Sequence, residues 1–286
     1  MDKRGVLSLF IILIVITAAC INPSQSQKST NTSEGTMVIH FINVGLGDSE
    51  LIQFPSGKTM LIDAGESAKG PIVADYLKKQ GIGRLDLVVA SNPSNTNIGG
   101  MGTILREFPV GEYIDNGDAS NPEPYYTDLH VFIEQEKIPY RIVRNGDTIS
   151  PDPHVSVTVL NPPSTLFNSF DKNSIVLKIV YNNSSALFMG DISDKDEMRI
   201  ADLAGFTDIL KVGYWGNSLT CSQEFLNKVQ PEISVLEVLE TPSYFLPSKE
   251  TIARLEQSGS VVYRTDLNGT IKVVTDGNTY TVTTER

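Results

Sequence analysis

LDLVVASNPSNTNIGG, residues 85–100, decides how this chain folds. LDLVVA is an apolar run bounded by polar turns, which suits a central strand buried on both faces. SNPSNTN follows immediately past its C-terminal end, and IGGMGTILREF has helical spacing, with glycines that allow close packing. A polar heptapeptide at the carboxyl end of a buried strand is placed to present side chains. Yet none of its Ser, Asn, Thr or Pro residues is a good metal ligand or base.

On the N-terminal side, MVIHFINV alternates like a half-buried strand, SELIQF and KTMLIDAG form a hairpin about Pro-Ser-Gly, and PIVADYLKKQGI is a helix with Gly81 at its stop. Downstream come a strand VGEYID, a helix YYTDLHVFIEQEKI, and the strands PYRIV, HVSVTVLNPP and SIVLKIVYNNSSALFMGD, the last a hairpin about Asn-Asn-Ser-Ser. MRIADLAGF, EFLNKVQ and KETIARLEQSG are helices, alternating with strands TDILKV and EISVLEVL. VVYRTDLNGTIKVVTDGNTYTVTTE closes the chain as antiparallel strands. This pattern predicts one α/β domain over 37–286, with two mixed sheets flanked by helices.

The 286 residues carry a net charge of −11, and no Lys/Arg run builds a basic patch, so general nucleic-acid binding is not expected. Residues 1–36 stand apart from the domain. MDKR is a positive n-region, GVLSLFIILIVI an apolar h-region, and TAAC ends in small residues before Cys20. We expect residues 1–20 to be a signal peptide with a lipidation site at Cys20, an N-terminal membrane anchor being the alternative. Residues 21–36 are a polar, flexible tether. Either arrangement places the body outside the cell membrane but attached to it. Cys221 is then the one cysteine of the body, which excludes an intramolecular disulfide framework there.

HFINVGLGDSELIQFPSGKTMLIDAG (40–65), LDLVVASNPSNTNIGGM (85–101), NSIVLKIVYNNSSALFMGDI (173–192), ILKVGYWGN (209–217) and VYRTDLNGTIKVVTDG (262–277) resemble, in order and spacing, successive blocks of one family. It is the metallo-β-lactamase-fold domain of competence protein ComEC and its stand-alone relatives. The resemblance implies an αββα sandwich with a zinc-dependent hydrolytic site at one edge between the sheets. In that family the loop after the LDLVVA-type strand reads Ser/Thr-His-Pro-Asp-x-Asp-His-Ile-Gly-Gly, and a later block reads Val-Gly-His-His-Gly-Ser. Here Asn92, Ser94, Thr96 and Asn97 stand at the ligand positions of the loop, and Tyr214 and Trp215 at the two later histidines. Asp191, in LFMGDI, alone matches a family ligand. Amides and hydroxyls are poor zinc ligands. The zinc expected of the family is therefore judged lost, with Asp63, Gly99 and Gly100 remaining as framework.

Each remaining candidate has a plainer role beside its chemical one. Asp191 could serve as an acid, a base or a lone ligand, but equally as a cap for the next helix. His40, His130 and His154 show no metal-ligand spacing, and Cys221 has no convincing His partner. Tyr214 and Trp215 fill the vacated space, either as an aromatic floor with Tyr125 and Tyr126 or as a plug. The acidic run DISDKDE (191–197) lacks a calcium-loop pattern and is expected to cap a solvated helix. These features favour a surface-anchored pseudoenzyme without a metal cofactor, binding a small-molecule or protein ligand at the degenerate site. The alternative is a residual metal-dependent hydrolase of phosphodiester or similar bonds, built on Asp191 with non-standard ligands.

Overall fold

The computed structural model describes residues 35–120, 123–193, 195–239 and 245–286. The expected signal peptide, Cys20 and nearly all of the tether lie outside the described residues. Strand β1 (Met37–Phe41) opens the body and is followed by β2 (Glu50–Gln53), β3 (Thr59–Ile62), α1 (Gly70–Lys79) and β4 (Leu85–Val89). The helix predicted over IGGMGTILREF is α3 (Met101–Glu107), and a separate short helix, α2 (Asn95–Ile98), forms inside the polar box before it, the two separated at Gly99 and Gly100. Then come β5 (Val110–Asp115), α4 (Pro124–Gln135), β6 (Tyr140–Ile142), β7 (Val155–Asn161), β8 (Val176–Tyr181), β9 (Ser184–Phe188), α5 (Lys195–Ala204), β10 (Ile209–Lys211), α6 (Gln223–Val229), β11 (Ile233–Leu236) and α7 (Lys249–Gln257). The chain closes with β12 (Val261–Arg264), the short α8 (Thr265–Asn268), β13 (Ile271–Thr275) and β14 (Tyr280–Thr284).

Two sheets result, an eight-stranded one in the order β14-β13-β1-β2-β3-β4-β5-β6 and a six-stranded one in the order β12-β11-β10-β9-β8-β7. Each joins an antiparallel part to a parallel one: β3 to β6 run parallel in the first sheet, and β9 to β12 in the second. One apolar core fills the space between the sheets, with Phe41, Ile52, Val157, Ile179 and Val235 in it. A second core packs the larger sheet on α1, α3 and α4, through residues such as Leu77, Ile104 and Leu129. A third packs the smaller sheet on α5, α6 and α7, through Ile200, Phe225 and Leu255. The order helix, sheet, sheet, helix is the expected αββα sandwich.

The C-terminal reading needs correction. VVYR is not an antiparallel partner of the last strands but a parallel edge strand of the smaller sheet, with Ile233 opposite Val261. Alternation of side chains is the same in parallel and antiparallel pairs, so the pattern alone could not separate them. The helix α7 between β11 and β12 is the crossover that makes them parallel. Only β13 and β14 pair antiparallel, on the far edge of the larger sheet.

Candidate functional site

The loop after β4 is fixed before its side chains are considered. Asn92 Oδ1 accepts the Ser94 amide at 2.9 Å, and Ser94 O accepts the amides of Asn97 and Ile98, which starts α2. Ala64 N donates to Asn97 O at 2.7 Å, Asp48 N to Thr96 O at 3.2 Å, and Gly100 N to Gly65 O at 2.9 Å. A Cβ on Gly100 would stand 2.2 Å from Ala64 O, so only glycine allows this approach. The box is thus stitched to the β1–β2 and β3–α1 loops.

Its side chains divide into two groups. Asn92 Nδ2 donates to Asp191 Oδ2 at 2.7 Å and to Ser174 Oγ at 3.0 Å. Asn97 Nδ2 donates to Asp63 Oδ2 at 2.9 Å, to Ser91 Oγ at 3.1 Å and to Asp48 Oδ2 at 3.4 Å. Ser94 and Thr96 both donate to Asn97 Oδ1, at 2.5 and 3.0 Å, so they orient that amide. Asp63 also accepts Ser91 N at 2.8 Å and Ser91 Oγ at 2.5 Å.

Past β10 the backbone turns through left-handed conformations at Tyr214 (φ 46°) and Trp215 (φ 53°) before Gly216. Such angles cost a non-glycine residue roughly 1–2 kcal/mol each. The two rings lie 5.1 Å apart and face a cleft of about 1080 Å3 with Leu46, Phe245, Leu246 and Pro247. Trp215 Nε1 has no hydrogen-bond partner among the described residues. Tyr214 lies near Asp191: burial raises its phenol pKa, and the charges of Asp171 and Asp191 push the same way.

Under this site lies a buried cluster that motif reasoning missed. Lys211, the last residue of β10, pairs with Asp48 and stands 3.9 Å from Glu50 Oε1. Glu237 Oε1 accepts the Ser49 amide at 3.2 Å, and Glu50 lies close enough to raise the Glu237 pKa. All four side chains are buried. Burial alone would strip the Lys211 proton, but Asp48, Glu50, Glu237 and Asp191 outweigh it and raise its pKa. Burial pushes Glu50 up to about 8 and Asp63 up to about 7, and lifts Asp191 and Glu237 well above the carboxylate range. Near neutral pH, protons on these groups offset most of the surplus negative charge. The sequence signal was there: Glu50 in SELIQF, Lys211 in ILKV and Glu237 in VLEVL each set a charge inside a buried strand or at its end.

Several solved structures share the fold at low identity. The metallo-β-lactamase fold protein YhfI from Bacillus subtilis matches with TM-score 0.54 and 10% identity, over 80% of this chain and 96% of that one. CmlA, a diiron β-hydroxylase from Streptomyces venezuelae, matches with TM-score 0.56 and 13% identity, over 84% of this chain and 54% of the other. No family model matches the chain. Among curated proteins it is 26% identical over 249 residues to Recombination protein 2 of Haemophilus influenzae, covering 84% of this chain and 29% of the relative. It is 25% identical over 263 residues to ComE operon protein 3 of Bacillus subtilis, covering 84% of this chain and 33% of the relative. The chain carries a ComEC-type metallo-β-lactamase-fold domain. It spans about a third of the length of the curated relatives it matches.

The zinc implied by a ComEC-type fold does not fit the residues present. At the family's ligand positions only Asp191 offers a carboxylate, and its Oδ2 already accepts from Asn92. Asn92 and Asn97 turn N–H groups, not lone pairs, toward the carboxylates. Among the described residues no group of three or more His, Cys, Asp or Glu side chains is arranged to hold a metal ion. Nor do the histidines converge. His40 is buried on β1 between Tyr76 Oη (2.7 Å) and Gln53 Oε1 (2.8 Å), and burial lowers its pKa to about 4. His130 lies on α4, and His154 in the loop before β7.

The expectations for Tyr126 and for the run 191–197 change in the ComEC-type frame, whereas the reading of Cys221 as a buried residue does not. Tyr125 reaches the box, donating to Pro93 O at 2.9 Å, but Tyr126 packs against His130, so the two tyrosines do not join one floor with Tyr214 and Trp215. The run 191–197 does not simply cap a solvated helix. Asp191 is buried in the site, and buried Glu197 accepts the amides of Cys221 (2.8 Å) and Ser222 (2.7 Å) at the start of α6. Asp191 is held by Asn92 rather than serving α5. Cys221 is buried, and burial pushes its thiol pKa far up, so it is no thiolate nucleophile.

Proposed function

We propose that this ComEC-like protein is a metal-free pseudoenzyme that binds a small-molecule or protein ligand at the former metal site, anchored to the outer face of a membrane by its N-terminal segment. The observation that carries this is the pairing of Asn92 with Asp191 and of Asn97 with Asp63. Amide N–H groups sit against carboxylates that a cation would otherwise neutralise, which leaves no lone-pair set to activate a water. The cleft beside Tyr214 and Trp215 supports the binding half of the proposal. Its volume of about 1080 Å3 is large enough for an organic ligand, and its aromatic walls supply apolar contact. The apolar stretch ending at Cys20 supports the anchoring half.

Elemental analysis of the purified full chain, before and after incubation with zinc or manganese, tests the proposal. Well under one metal per chain, with no chelator-sensitive hydrolysis of a phosphodiester substrate, is the expected outcome. One or more tightly held ions with such activity would establish the residual-hydrolase alternative instead.

A further inference from the structure

A second polar centre lies away from the box, at the open edge of the larger sheet. Asp115 closes β5 and is buried. Its Oδ1 accepts Tyr140 Oη and Gly117 N, both at 2.8 Å, and its Oδ2 accepts His130 Nε2 at 2.9 Å and Tyr126 Oη at 3.4 Å. A carboxylate with four donors around it can only accept. The ring proton of neutral His130 is therefore on Nε2, and Nδ1 carries a lone pair.

That imidazole is 25% exposed and lies in a groove of about 720 Å3 between α4 and β6. The Tyr126 ring lies 4.4 Å from it at a tilt of 45°, and Tyr140 stands edge-on at 5.2 Å. Both tyrosines point their hydroxyls inward at Asp115, so aromatic carbon walls the groove. Val131 (47%), Tyr140 (41%) and Ile142 (47%) leave apolar surface in water at its mouth. Gly117 (φ 62°) allows the Ile142 wall: a Cβ there would come within 2.7 Å of Ile142 Cδ1.

We infer that this groove is a second ligand site, for a small neutral aromatic compound that donates one O–H or N–H to His130 Nδ1. The walls favour a flat apolar ring. The imidazole acceptor asks for a donor, and an anion would meet a lone pair backed by the Asp115 charge. This site is independent of the box and of whether the box holds a metal.

Phenol and anisole test the inference, since they share a ring but only phenol donates. Each is titrated into the full chain while the histidine ring signals are followed by NMR. Phenol should shift the His130 signal saturably and bind about tenfold more tightly than anisole, the worth of one good hydrogen bond. His130→Phe should erase that preference. Ile142→Lys, on the exposed rim and away from Asp115, should weaken both ligands and carries the test if the first variant fails to fold. Equal binding of phenol and anisole, no saturable shift, tighter saturable binding of tetramethylammonium than of phenol in the same titration, or an unchanged phenol affinity in both variants would each overturn it.

Discussion

Replacing Lys211 with methionine removes the one cation from a buried cluster of carboxyls. In the native protein its ammonium pairs with Asp48 and lies 3.9 Å from Glu50. At that separation the attraction to Glu50 alone, if ionised, is about 4 kcal/mol at an effective dielectric of about 20. Part of it is returned, because the variant no longer buries an ammonium. Breaking a buried pair from one side nets about 3–5 kcal/mol of destabilisation. The variant can relieve the cost by protonating Asp48, so the loss depends on pH. A carboxyl whose folded pKa is raised keeps its contribution at low pH and loses it as pH climbs. The penalty should therefore grow by up to about 1.4 kcal/mol per pH unit between pH 5 and pH 8. Urea unfolding of Lys211→Met followed by circular dichroism at both pH values measures it. The double variant with Asp48→Asn should recover much of the loss, since no unpaired charge remains. A penalty under about 1 kcal/mol, or one equal at both pH values, would refute the electrostatic account of this cluster.

The native protein should itself be more stable at pH 5 than at pH 8 by denaturant midpoint. Glu50 and Asp63 rise to about 8 and about 7, and Asp191 and Glu237 also rise well above the carboxylate range; His40, lowered to about 4, pulls the other way as pH falls below its unfolded value, and Lys178, lowered to about 8, does so only near the top of the range; a rising profile from pH 5 to pH 8 would contradict this. Glu197→Ala should cost about 1–3 kcal/mol in thermal or urea unfolding by orphaning the Cys221 and Ser222 amides, and Glu197→Gln should cost less. Restoring the box with Asn92→His, Ser94→Asp, Thr96→Asp and Asn97→His should give a protein less stable than the native one without zinc and stabilised by added zinc, read as a shift in melting temperature. A metal-free restored protein as stable as the native one would show that the two asparagine bonds do not offset buried charge.

The layers of the sandwich were legible because LDLVVA, MVIHF and the amphipathic helices bury the faces their patterns predict. Strand direction at VVYR was not, since a side-chain period of two carries no polarity. At the site, the positions to examine were legible from the spacing of Asn92, Asn97, Asp191, Tyr214 and Trp215. Their pairings were not. Nothing in the chain order says that Asn92 meets Asp191 across 99 residues, or that Lys211 meets Asp48 across 163. Glu50 and Lys211 are charges set in apolar strand segments, and both are buried. A buried charge declares itself only when its partner arrives from another element.

These pairings also decide where a ligand can meet the box. A buried carboxylate without a partner costs several kcal/mol, and a hydrogen bond to a charged group returns about 1.5–3. Asn92 and Asn97 supply such bonds to Asp191 and Asp63, while raised pKa values let protons balance the remainder. The polar floor is thereby satisfied in part from within, Asp191 Oδ1 and Asp48 Oδ1 finding no partner among the described residues, and it is closed: Asn92, Asn97, Asp63 and Asp191 are all buried. The backbone at Tyr214 and Trp215 is held in left-handed conformations. It sets the two rings against the cleft beside the box, where an incoming molecule would find apolar surface.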